Sequence, residues 1–84
     1  MPSTDKLLHR YHVAVDDATN MPGLRISQMR KYPQGIFYCV ARVAQKSHAE
    51  GLASDYRDIG FHARVIYQKG NPASWRWSIF VRRK

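Results

Sequence analysis

The stretch "SHAEGLASDYRDIG", Ser47 to Gly60, constrains the fold more than any other part of this chain. Ala49, Leu52, Ala53, Tyr56 and Ile59 recur at three- and four-residue spacing, the pattern of a helix with one buried stripe. Ser47 followed by Glu50 has the form of a capping box, in which each side chain accepts a backbone N–H left free at the first turn. Gly60 supplies a left-handed residue to end the helix, and Phe61 can pack back on the last turn. His48, Glu50, Ser54, Asp55 and Asp58 fill the opposite face. Gly51 costs a helix interior up to ~1 kcal/mol relative to Ala, which close packing on a sheet would justify.

Strands flank this helix. "GIFYCVARVA" puts Phe37, Cys39, Ala41 and Val43 on one face, and "FHARVIYQ" does the same with Phe61, Ala63, Val65 and Tyr67. Both have the period-2 pattern of half-buried strands. "QKGNPAS" turns the chain into "SWRWSIFVRRK", where Trp75, Trp77, Ile79 and Val81 alternate with Arg76, Ser78, Phe80 and Arg82. In "KYPQGI", Pro33 presets a turn and Gly35 suits a positive-φ position. "LRISQMRKY" is then the partner strand, with a short helix as the competing reading. "RYHVAV" reads as a further strand, "DDATNMPG" as a loop, and residues 1–6 as frayed. The expectation is one α+β domain over residues 1–84, with a mostly antiparallel five-stranded sheet and one covering helix in the order β-β-β-α-β-β.

One helix covers about half of such a sheet, so the composition of the other face becomes functional information. Fourteen Lys and Arg against six Asp and Glu give a net charge of +8. Such an imbalance favours an anionic partner, of which nucleic acid is the commonest. Alternation away from the helix brings together Tyr38, Arg42, His62, Arg64, Arg76, Phe80 and Arg82. Guanidinium groups pair with phosphates, and flat rings stack unpaired bases, so these seven are the candidate contacts to RNA or single-stranded DNA. Ile36, Val40 and Ile66 are too apolar for a wholly open face, which leaves room for a second core or a homodimer contact. A protein-binding module or small inhibitor of phage-accessory type, docking on an acidic partner, is the alternative reading.

Other classes have less support. No apolar run is long enough to span a membrane or to form a secretory leader. A single cysteine makes no internal disulfide, and a reducing cytoplasm is the natural setting. Cys39 reads as an inert buried thiol. His9, His12, His48 and His62 form no array with a nucleophile, so neither catalytic residues nor a metal or cofactor site is expected.

The segment "FYCVARVAQKSHAEGLASDYRDIGFHARVIY…WRWSIFV", residues 37–81, resembles SPOR-type domains in its strand, capped helix with an Ala/Leu stripe, glycine, strand and closing strand. The resemblance implies an RNP-like sheet-plus-helix fold and, in that family, glycan binding on the sheet. No ligand-contact motif matches, so no binding residue carries over.

Overall fold

A computed structural model describes residues 3–20 and 29–84. The elements are α1 (Thr4–Asn20), β1 (Met29–Tyr32), β2 (Gly35–Val43), α2 (Lys46–Asp58), β3 (Phe61–Tyr67), a short 3-10 turn (Ala73–Trp75) and β4 (Trp77–Arg83). The strands form one antiparallel sheet in the order β1-β2-β4-β3. The α+β class and the antiparallel sheet are as expected. Among the described residues, however, there are four strands rather than five and two α-helices rather than one.

The difference lies near the N-terminus. "RYHVAV", expected as a strand, is part of α1. Val13 and Val15 favour a strand locally, but Leu7, Tyr11, Ala14 and Ala18 make a longer helical stripe that overrides them. Leu7 and Ala14 are buried, and Tyr11 packs on the same core. Residues 4–6 form the first turn of α1. Ser3 Oγ accepts the Lys6 N–H at 3.3 Å and caps the helix. Residues 24–28 of the proposed partner strand lie outside the described residues; Met29–Tyr32 does pair with β2, through a turn that registers Tyr32 against Gly35.

Helix α2 buries the expected stripe of Ala49, Leu52, Ala53 and Tyr56. Its first turn starts earlier than the capping-box reading requires. Gln45, extended and without a side-chain cap, supplies the carbonyl that accepts the Ala49 N–H at 3.2 Å. Ser47 is therefore already inside the helix, and the box does not form. Gly60 ends the segment at φ +94°. Gly51 is exposed, and nothing lies within 4 Å of the position a Cβ would take, so close packing is not its reason. Gly51→Ala should raise stability by about 0.5–1 kcal/mol, read as a higher urea midpoint at unchanged slope.

β2 and β3 each pair antiparallel with β4, which lies between them. They are therefore parallel to each other, and α2 is the crossover of a split β-α-β unit. β1 and β4 are likewise parallel, with β2 between them. Helix α1 precedes β1 where a crossover from β4 would stand if the chain ends were joined. Two interlocked split units thus occur in permuted chain order, with both helices on one face. Their shared core is Leu7, Ala49, Leu52, Ala53, Tyr56, Phe61, Ile79 and Val81. Tyr56 OH donates to Leu7 O at 2.8 Å and ties the helices together. Burial pushes that phenol up to about 12. The opposite face of the sheet carries neither helix.

Candidate nucleic-acid interface

A β-bulge decides which side chains reach the helix-free face. Tyr38 pairs with Val81 and Cys39 with Phe80, but Ala41 comes next, opposite Ile79, and Val40 is extra. One additional residue in a strand of period 2 exchanges the faces beyond it. Phe37 and Cys39, before the bulge, therefore lie on the open face; Ala41 and Val43, after it, lie under the helices. Uniform alternation had put all four on the core side. The same offset moves Tyr38 beneath α1, where its ring stands edge-on to Tyr11 at a centroid separation of 6.1 Å.

Arg42, His62, Arg64, Phe80 and Arg82 are brought together on the open face, as expected from their alternation. Tyr38 is not, for the reason just given. Arg76 is not on a strand at all. It follows the 3-10 turn in helical backbone conformation, and its carbonyl accepts the Gln68 N–H at 2.7 Å. Trp75, expected on the core face of the last strand, lies in that turn and is 45% exposed. Three residues join the face that the alternation missed. Arg30 and Tyr32 come from β1, in register with Phe37 and Gly35, and Phe37 comes through the bulge.

The open face carries a small core of its own. Phe37, Cys39 and Phe80 cluster there, with Tyr32 and Ile66 packed against them. Phe80 is 0% and Phe37 3% exposed although neither α1 nor α2 covers them. Arginines supply the cover. The guanidinium of Arg30 lies 5.4 Å from the Phe80 ring centre, Arg64 lies 4.2 Å from Tyr32 and 5.5 Å from Phe37, and Arg82 lies 5.8 Å from Phe37. Aliphatic stems cover apolar surface while the planar heads sit over the rings. The aliphatic excess is thereby absorbed, since Ile66 joins this cluster and Val40 packs on the helix-side core.

Gly35 makes room for one of these arginines. A Cβ there would come within 2.7 Å of Arg82 Cδ, and its φ is +141°. Gly35→Ala should therefore cost more than about 1 kcal/mol, lowering the melting temperature of a domain this size by about 4–8 °C per kcal/mol.

Charge is separated along the same division. All six acidic residues lie on the helices: Asp5, Asp16 and Asp17 on α1, and Glu50, Asp55 and Asp58 on α2. Among the described basic residues, only Lys6, Arg10, Lys46 and Arg57 accompany them. Arg30, Lys31, Arg42, Arg64, Lys69, Arg76, Arg82, Arg83 and Lys84 belong to the strands, their turns and the chain end. Among the described residues, no carboxylate makes a salt bridge with Arg30, Arg64 or Arg82. Arg82 Nε is buried without a hydrogen-bond acceptor.

Cys39 Sγ donates to Ala41 O at 3.5 Å. Burial pushes its thiol pKa up, offset in part by Arg42, the Ala41 bond and Arg30, so at neutral pH it is protonated and a poor nucleophile. Among the described residues no three His, Cys, Asp or Glu side chains group as metal ligands. Nor is any helix among them long and apolar enough to cross a membrane. Compared with family models, curated proteins and solved structures, the chain matches none.

Proposed function

We propose that this chain binds nucleic acid, single-stranded DNA or RNA, by laying the phosphate backbone along the arginine face of its sheet. The observation that carries this reading is the separation of charge: every carboxylate side chain lies on the helices, and among the described residues Arg30, Arg64 and Arg82 on the opposite face have no carboxylate partner. Like charges held side by side repel, and a row of phosphates relieves that repulsion while accepting forked hydrogen bonds. The acidic helix layer turns the molecule so that its sheet meets a polyanion first. Arg30, Arg42, Arg64 and Arg82 are the contacts to phosphate. Phe37 and Phe80 are too buried to stack bases. Their part is to hold the guanidinium planes flat, and the planes themselves offer the stacking surface.

Fluorescence anisotropy with labelled single-stranded DNA, single-stranded RNA and duplex DNA, across roughly 50–200 mM salt, tests the proposal. Affinity should fall log-linearly with salt, with a slope of about −0.7 per phosphate contacted on a single strand. A flat profile, as for the glycan ligand that the SPOR resemblance implies, would overturn it.

One observation favours a second reading. Among the described residues the face offers no exposed Phe, Tyr or Trp ring for a base, and a flat guanidinium surface also matches the carboxylates of an acidic protein. Pull-down with and without nuclease separates the two, because a protein partner persists after the nucleic acid is digested.

A further inference from the structure

We propose that one corner of the arginine face is a seat for a terminal phosphate monoester, so that the protein takes nucleic acid by a phosphorylated end. This rests on the nucleic-acid reading above and names the ligand group held at that corner.

A cleft of about 490 Å³ opens where β3 begins and β4 ends, bounded by the β1–β2 turn. Arg57 comes to it from α2, His62 and Arg64 from β3, Arg82 from β4, Lys84 from the chain end, and Gln34 from the turn. Four fixed cations and an imidazole thus converge on one concavity, and among the described residues no carboxylate side chain lines it. Two of the cations are held in place. Arg57 Nη2 donates to Ala63 O at 2.9 Å, and the Arg82 stem lies against Gly35.

An internal phosphodiester carries one negative charge and must continue in both directions. A monoester carries about −1.5 to −2 and presents three oxygens to several donors at once. A cleft that gathers cations from four elements fits the second better, because its field is focused on a point rather than along a track. The rest of the face, through Arg64, Phe80 and Arg42, runs on from this corner and gives the strand behind the phosphate its path.

His62 makes the seat sensitive to pH. Local desolvation, with the charges of Arg82 and Lys84, holds its imidazole below the ordinary value. Arg57 and Arg64 also line the cleft and add like charge, and among the described residues no Asp or Glu side chain lines it to oppose them. A bound dianion reverses that balance and raises the imidazole pKa, so binding takes up a proton. Affinity for the phosphorylated end should tighten as pH falls from about 8 towards about 6.5, until the phosphate itself protonates near ~6.

The test uses one internally labelled single strand in three forms, with a 5′-phosphate, with a 3′-phosphate, and with both ends as hydroxyls, at constant low salt. One phosphorylated form should bind roughly tenfold more tightly than the hydroxyl form, the effect of about one further charge-assisted contact. Which form wins identifies the end. Arg57→Gln and Lys84→Gln should each remove most of that preference while leaving affinity for the hydroxyl form within about twofold, since the loss is confined to the corner. Lys84→Gln, at the exposed chain end, keeps the test decisive should Arg57→Gln fail to fold. Equal affinity for all three forms would overturn the seat and leave the arginine face standing. Preference retained in both variants would remove it from this cleft. Failure of every form to bind would overturn the seat and the nucleic-acid reading together.

Discussion

Replacing Arg64 and Arg82 together by alanine should weaken binding to a single strand by roughly thirtyfold at low salt, at about 1 kcal/mol for each lost phosphate contact. The salt slope should become shallower by about 1.4, two contacts at about 0.7 each. These two arginines are chosen because both lie over the buried aromatic cluster at the centre of the face. Their removal also uncovers Phe37, so a modest loss of stability accompanies the loss of binding; a cation–π contact at such a site contributes about 0.5–1 kcal/mol. The paired Arg→Lys variant separates the two effects. It keeps the charge and hence the slope, but loses the planar fork. Arg76→Ala, at a residue off the strand, should change affinity far less. Unchanged affinity in the double alanine variant would remove the arginine face from the binding site.

Tyr56→Ala should destabilise the fold by about 3–5 kcal/mol, the range for removing a fully buried aromatic side chain. The ring is 0% exposed, packs edge-on to Phe61 at 5.5 Å, and its hydroxyl bonds the Leu7 carbonyl across 49 residues of sequence. A domain of this length has roughly 4–13 kcal/mol in hand, so one substitution would remove a large part of it. Tyr56→Phe keeps the ring and loses only the hydrogen bond, at about 1 kcal/mol. Chemical denaturation of the three proteins measures both differences. Equal stability of the alanine variant and the parent would mean that α1 does not dock as described.

Helix α2, the strands on either side and the hairpin at Gly35 were legible because each has a local cause: a stripe, an alternation, a positive φ. Helix α1 was not. Val13 and Val15 dominate a six-residue window, and the competing stripe from Leu7 to Ala18 shows only over a longer one. The candidate site was half legible. Arg64, Phe80, Arg82 and His62 follow from alternation in strands that keep their register, and Arg42 from the part of β2 beyond the bulge. Tyr38 was misplaced and Phe37 missed because a bulge depends on pairing with β4, forty residues away in sequence, and leaves no mark in the strand itself. The arginine cover over Phe37 and Phe80 is equally a tertiary fact. The closing segment contains both Phe80 and Arg82, but only the assembled sheet puts Phe80 beneath Arg30 and Arg82 over Phe37.

The central claim is that the sheet face, and not the helices, receives the nucleic acid. A heteronuclear NMR titration with a short single-stranded oligonucleotide tests it residue by residue. The account predicts that backbone amides and guanidinium signals of Arg30, Arg42, Arg64 and Arg82 shift together and saturate, while those of Asp5, Asp16, Glu50 and Asp55 on the helices stay in place. Shifts confined to α1 and α2, or none at saturating oligonucleotide, would contradict it.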